Sequence, residues 1–231
     1  MLALFPEGFE EADRADDVEL SAYTDPAGED RARSVFGEVL TADVPPDWEE
    51  RWKRFHRAAN VAGLWVGPPW LSPPPDAVAV VVEPGRAFGT GAHPTTRLCI
   101  ELLASLDAGS LLDIGCGSGV LSIAAAKLGY APIVAVDAAE AAIEATQRNA
   151  RANGVEVETR LADALVDDLP PAATAVANID AARSAAVAGR VECHRLVTSG
   201  YFAPHVPALA GYRHVRRETN EGWAADLFEP Q

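Results

Sequence analysis

Lysine is nearly missing from this 231-residue chain: of its 19 basic residues only Lys53 and Lys127 are lysines, and the rest are arginines. That imbalance reads as a genome-composition bias. Positive charge as a whole is scarce, because 34 acidic residues leave a formal net charge of −15. Such a surface repels phosphate backbones, which argues against nucleic acid as a direct partner and favours a basic protein or peptide. Cysteine is sparse too. Cys99, Cys116 and Cys193 are odd in number and far apart. They fit neither a disulfide framework nor a C-x-x-C metal site, so no metal is expected and the compartment reads as a reducing cytoplasm. No apolar run approaches the ~20 residues that span a bilayer. Met1–Phe9 lacks the basic start of a secretory signal. There is no internal repeat and no low-complexity tract.

What is present suffices for a full core: hydrophobic residues make up 48% of the chain. The length fits one sizeable domain with a small appendage. Residues 1–46 are acidic and read as a truncated α+β element, with a strand over Val18–Tyr23, a helix over Glu29–Glu38 and a strand over Val39–Val44. Residues 47–76 read as an aromatic and proline-rich linker. Within it Trp48, Trp52 and Phe55 recur at helical spacing as a packing face, Trp65 and Trp70 follow, and Pro68, Pro69, Pro73, Pro74 and Pro75 mark extended chain. Residues 77–231 read as the main domain.

That domain opens on Val78–Val82, a continuous apolar run expected to be a buried strand. Helices are expected over His93–Leu106, Gly119–Leu128 and Ala139–Asn153, and Gly154 suits the C-cap of the last. Strands are expected over Ser110–Ile114, Ile133–Val136, Val155–Leu161, Ala173–Asn178 and Arg195–Ser199. A closing antiparallel pair is expected over Tyr212–Arg217 and Trp223–Phe228. Alternating strand and helix implies an α/β fold with a doubly wound parallel sheet and ligands at the strand C-termini.

The densest signal is Leu111–Gly119, LLDIGCGSG, followed by Val134–Asp137, VAVD. Together they describe a buried strand carrying Asp113, a glycine turn, a helix, and a second strand ending in an acid. Gly115, Gly117 and Gly119 are spaced G-x-G-x-G, whereas a dinucleotide fingerprint is G-x-G-x-x-G; Val120 occupies its sixth position. The pattern therefore favours S-adenosylmethionine over NAD or FAD. Glycines let the backbone approach a ligand closely. The helix start beyond them offers free N–H groups to a carboxylate. Asp137 is placed to accept from both ribose hydroxyls.

Three more segments fall at strand ends. Glu83–Thr96, EPGRAFGTGAHPTT, is a glycine-rich loop before a helix, read as folding over a cofactor with Thr95 or Thr96 offering a hydroxyl; the alternative is a loop with helix-capping threonines. Asp163 in LADAL is placed to accept from an adenine amino group, or else forms a turn. Asn178 in VANID ends a buried strand, where its amide and nearby carbonyls can position an amine acceptor. Asp180 either caps the following helix or orients a cationic acceptor. His93 reads as a loop-structuring residue rather than a general base.

These segments resemble the PrmA family, the methyltransferases of ribosomal protein L11, from about Trp48 to the C-terminus. The resemblance rests on EPGRAFGTGAHPTT, LLDIGCGSGVLSIAAAKLG, VAVD, VANI, LWVGPPW, and the late pairs Ser199-Gly200 and Gly222-Trp223. It implies a seven-stranded Rossmann-like methyltransferase sheet, with Thr96, Gly115, Asp137 and Asn178 contacting adenosylmethionine. It further implies methylation of protein amines, a lysine side chain or the α-amine of a basic ribosomal protein, by a cytoplasmic monomer. Two departures stand out. Family members carry a longer N-terminal recognition domain of ferredoxin-like type, and Asp180 stands where they have an apolar residue. The slot after Asn178 is Ile179-Asp180-Ala181 rather than the N-P-P-aromatic motif of enzymes that methylate planar nitrogens. That leaves another lysine-bearing protein, or adenosylmethionine binding without catalysis, as the alternatives.

Overall fold

The computed structural model describes residues 10–13, 18–22, 24, 26–41, 57–83, 91 and 93–231. The chain divides into two units, Met1–Arg54 and Phe55–Gln231. In the first, Glu10–Asp13 (β1) pairs antiparallel with Val18–Ser21 (β2), and a helix follows over Pro26–Phe36 (α1). β1 reads EEAD and has no alternating apolar pattern, so nothing local announced it. α1 begins at a proline, which suits the first helical turn, and ends before Gly37 at φ +80°. The strand expected over Val39–Val44 is corrected in its described part: residues 39–41 have no regular structure. Trp48, Trp52 and Phe55 lie outside the described residues.

The second unit holds two sheets. Ala59–Val61 (β3) and Leu64–Gly67 (β4) form a hairpin, and Val78–Val81 (β5) joins β4 in parallel. Part of the stretch read as linker is therefore sheet. Ala62 and Gly63 both have positive φ at the turn, which is the type I′ hairpin signature, and every residue of β4 is buried. The prolines after Gly67 masked this hairpin in the sequence. β5 corrects a second expectation: it belongs to this small sheet, and Val78 is 47% exposed. Among Val78–Val81 only Val80 is buried.

Helix Pro94–Ala104 (α2) leads into the main sheet: Leu111–Ile114 (β6), Val120–Lys127 (α3), Ile133–Asp137 (β7), Glu140–Ala152 (α4), Glu158–Leu161 (β8), Ala172–Asn178 (β9), Ala181–Ala188 (α5), Cys193–Phe202 (β10), Tyr212–Asn220 (β11) and Trp223–Pro230 (β12). Seven strands lie in the order β11-β12-β10-β9-β6-β7-β8. β8, β7, β6, β9 and β10 run parallel, and β12 is antiparallel to β10 and β11. This is the expected doubly wound sheet.

Strand alternation feeds two apolar layers. Leu111, Ile133, Val176 and Val197 join one, with Leu98, Leu102, Ile123 and Ala150 from the helices. Leu112, Ile114, Val136, Ala175 and Leu196 join the other, with Val187. Each valine, leucine or isoleucine among them contributes roughly 1.5–3 kcal/mol on burial, which fixes strand register against one-residue slips. β6 is the strand from which the chain first winds outward through β7 to β8 and then crosses to β9 on the other side. Ligands of open α/β sheets bind at such a reversal, beyond the strand C-termini. Among the described residues no helix is long and apolar enough to cross a membrane.

Candidate active site

The parallel strands deliver the singled-out residues to one edge of the sheet. Ile114 pairs with Val136 of β7 and Ala177 of β9. One step further along the same register brings Gly115 between Asp137 and Asn178. The turn is closed by Gly115 N and Cys116 N donating to the Val136 carbonyl (2.9 and 3.1 Å) and by Gly119 N donating to the Cys116 carbonyl (2.8 Å). Gly115, Gly117 and Gly119 sit at φ +73°, +54° and +80°, the left-handed region that costs other residues ~1–2 kcal/mol each. At Gly119 a Cβ would also press on Thr146 of α4, its backbone Cα included.

Asp137 shapes that turn from the next strand. Its Oδ2 accepts from Gly117 N (3.0 Å) and its Oδ1 from Ala139 N (2.9 Å). A carboxylate has about four acceptor sites, so one remains on each oxygen for a ligand. Asp113 lies behind the turn, 1% exposed, with Oδ2 accepting from Ser122 N (3.1 Å) and Ser122 Oγ (2.6 Å) of α3. Burial pushes its carboxyl up to about 6, against the pull of the Ser122 bonds, and its buried Oδ1 has no hydrogen-bond partner.

The two threonines of α2 separate here. Thr95 is tied into the helix cap: its hydroxyl lies 2.8 Å from His93 Nδ1, and its N–H donates to the same nitrogen. Thr96 is fully buried, and its hydroxyl has no partner. The capping His93 meets Trp223 edge-on at 4.8 Å, and Trp223 stacks on Phe202 at 4.4 Å. Burial and the nearby Arg97 charge hold the His93 imidazole below its usual range. This aromatic contact ties the start of α2 to the β10–β12 end of the sheet.

Asn178 ends β9, opposite Ser199 of β10. Asp180 is the N-cap of α5: Oδ1 accepts from Arg183 N (2.9 Å), and Oδ2 pairs with the Arg183 guanidinium (3.1 Å). Asp163 forms a turn after β8, its Oδ1 accepting from Leu165 N at 2.9 Å. The sheet thus brings Asp113, the three glycines, Asp137 and Asn178 to the β6–β9 reversal, with Thr96 buried in the first turn of α2, Asp163 beyond β8 and Asp180 capping α5.

Sequence reasoning missed two asparagines on α4 and its end. Asn149 donates to the Ser118 carbonyl in the glycine turn (2.8 Å) and accepts from Glu83 N (3.2 Å). Asn153 accepts from Val81 N (2.8 Å) and donates to the Val81 carbonyl (2.6 Å). Their i, i+4 spacing puts both on one helix face, which was the one available signal. They couple the end of β5 to the turn after β6. Asn149→Ala is expected to cost about 2 kcal/mol, since it removes the buried amide that bonds both Ser118 and Glu83; urea unfolding of the variant measures it.

The chain matches the family model described as ribosomal protein L11 methyltransferase (PrmA) over residues 10–203. It is 40% identical over 198 residues to a ribosomal protein L11 methyltransferase of Legionella pneumophila strain Philadelphia 1, spanning 79% of this chain and 68% of that protein. It is 51% identical over 114 residues to one from Alteromonas mediterranea, covering 48% of this chain and 39% of the relative. The crystal structure of a ribosomal protein L11 methylase from Lactobacillus delbrueckii subsp. bulgaricus shares the fold, with a TM-score of 0.66 at 24% identity, over 77% of this chain and 100% of that one.

Proposed function

Because the chain belongs to the ribosomal protein L11 methyltransferase (PrmA) family, we propose that it transfers methyl groups from S-adenosylmethionine to amine nitrogens of ribosomal protein L11, in the cytoplasm. The observation that carries this reading is the Asp137 carboxylate, which holds the left-handed glycine turn and keeps one acceptor site free on each oxygen.

The residues present suit that cofactor. Asp137 would take the ribose hydroxyls, and the turn Gly115–Gly119 would lie against the donor without side chains in the way. Thr96 and Asp113 each bring a buried polar atom that has no partner in the protein, as groups reserved for a ligand do. Asp163 stands at the end of β8, where an adenine amino group would be reached.

Bound adenosylmethionine supplies an electrophilic methyl on a sulfonium sulfur. The protein's part is alignment: a near-attack pairing of nitrogen and methyl recovers several kcal/mol of the barrier, up to about 7–11 in model systems. Asn178 receives the acceptor amine on its side-chain oxygen, and the neighbouring Ile179 carbonyl fixes a second N–H. The nitrogen reacts only as the free base, and α-amines titrate near ~7.7–8.0 against ~10.4 for lysine. A free carboxylate beside it would raise that value further. Asp180 avoids this cost, because its Oδ2 pairs with the Arg183 guanidinium and its Oδ1 caps α5.

The test is transfer of labelled methyl from adenosylmethionine to purified L11, with mass spectrometry of the modified residues. Absence of label in L11, with label in another basic protein, would replace the substrate but keep the chemistry. Absence of transfer to any protein would reject the reading. A sharper probe is Thr96→Val. It removes an unpartnered buried hydroxyl without changing shape, so the free protein is expected to be as stable or more stable by about 1 kcal/mol. Cofactor affinity, read by calorimetry, is expected to fall about tenfold, which is ~1.4 kcal/mol.

A further inference from the structure

Strand β10 carries an irregularity beside the acceptor position. Ser199 pairs with Ala225 of β12 and Tyr201 with Ala224, so Gly200 is an extra residue with no partner across the ladder. This is a β-bulge, a device that re-aims backbone next to sites. Gly200 adopts φ +100°, and a Cβ there would overlap the Ile179 carbonyl. The bulge is therefore pressed directly on the Ile179–Asp180 peptide, one residue past Asn178.

The bulge is clasped from behind. Thr198 and Tyr201 flank Gly200, and their hydroxyls lie 2.7 Å apart. The Tyr201 phenol donates to Asp226 Oδ2 (2.8 Å). Asp226 stands opposite Thr198 on β12 and is fully buried. Arg217 of β11 holds it with two bonds, Nε to Oδ1 (2.8 Å) and Nη2 to Oδ2 (2.7 Å), and His214 Nε2 lies 2.7 Å from Oδ1. Arg217 also donates to the carbonyls of Ala203 and His205, just past the end of β10. A buried charge held by four hydrogen bonds from three side chains of β10 and β11 is a rigid object, and a hydrophobic filling would serve stability equally well.

We propose that Tyr201 and Asp226 are positioning residues: they lock the β10 bulge so that Gly200 fixes the Ile179 carbonyl and, with it, the Asn178 amide that receives the acceptor. This rests on the role given to Asn178 above. Neither residue belongs to the proposed cofactor site, so the clasp acts chiefly on turnover and reaches cofactor binding only through Asn178.

Tyr201→Phe in the full chain tests it, with Tyr130→Phe as the matched control. The Tyr130 phenol is likewise buried and donates to the Leu103 carbonyl (2.8 Å), but it precedes β7 and so lies at the opposite edge of the sheet. Three quantities are read: kcat with L11, the Kd for adenosylmethionine, and the side-chain amide resonances of Asn178. Tyr201→Phe is expected to lower kcat about ten- to a hundredfold, as small misplacements near a reacting pair do. Kd should stay within about threefold, ~0.7 kcal/mol, while the Asn178 resonances shift. Tyr130→Phe should lower the melting temperature and change neither kcat nor those resonances. Unchanged kcat and resonances in Tyr201→Phe would overturn the clasp, as would an equal loss of kcat in both variants. A wild-type chain inactive on L11 whose Asn178 resonances still respond only to Tyr201→Phe would reject the acceptor and support the clasp.

Discussion

Asp137→Ala is expected to weaken adenosylmethionine binding at least about a hundredfold, or ~2.7 kcal/mol, measured by titration calorimetry. The variant loses more than a ligand contact. Asp137 Oδ2 holds Gly117 N and its Oδ1 holds Ala139 N, and each charge-assisted bond of this kind is worth about 1.5–3 kcal/mol. Without them the turn loses the support that keeps Gly117 in place, and the ribose hydroxyls lose their acceptor. Asp137→Asn separates these contributions. It retains one oxygen for Gly117 N but turns the other position into a donor that faces the Ala139 N–H, so its affinity should fall between those of wild type and alanine. Wild-type affinity in Asp137→Ala would remove the basis for placing the cofactor here.

The largest stability effect is expected at a residue with no proposed contact to the cofactor. Asp226→Ala leaves the Arg217 guanidinium, only 19% exposed, without its bidentate partner. Removing one member of such a buried pair typically costs about 3–5 kcal/mol, and for a chain of this size that is a fall of roughly 10 °C in melting temperature. The cost should depend on pH in a defined direction. Burial alone would raise the Asp226 carboxyl, but hydrogen bonds from Arg217, Tyr201 and His214 outweigh it and hold the group below the usual carboxylate range. Its ionised form therefore stabilises the fold at and above the ordinary carboxylate value near ~3.9, and this contribution is lost as pH falls through the lower folded-state value. Scanning calorimetry should find the gap between wild type and Asp226→Ala wide at pH 7 and narrowing toward pH 3. A constant gap would mean that packing, not charge, sets the cost.

Asp113 and Asp226 show how differently two buried acids read from sequence. Asp113 stands in LLDIGCGSG, beside glycines whose spacing is local and unambiguous. Asp226 sits in an ordinary strand, WAADLFEP, and its hydrogen-bond partners come from β10 and β11, up to 25 positions away. The same distinction separates the two threonines of α2. The sequence offered both, and only the fold showed that the Thr95 hydroxyl is taken by His93 while that of Thr96 is not. The small β3-β4-β5 sheet was missed because its turn, Ala62-Gly63, is a weak hairpin signal and the prolines beside it suggest open chain.

By itself the sequence determined the strand–turn–helix around Gly115–Gly119, the acid ending the next strand, the alternation that makes the sheet, and the family. These are written in short windows, where left-handed glycines and apolar periods of 2 or 3.6 act over a few residues. Only the tertiary structure decided that β9 crosses to the far side of β6 and so sets Asn178 beside the turn, that Asn149 couples Glu83 to Ser118, and that a bulge at Gly200 presses on Ile179. Pairings of this kind are chosen by the burial and hydrogen bonding of the whole sheet at once, and no single stretch of chain carries that information.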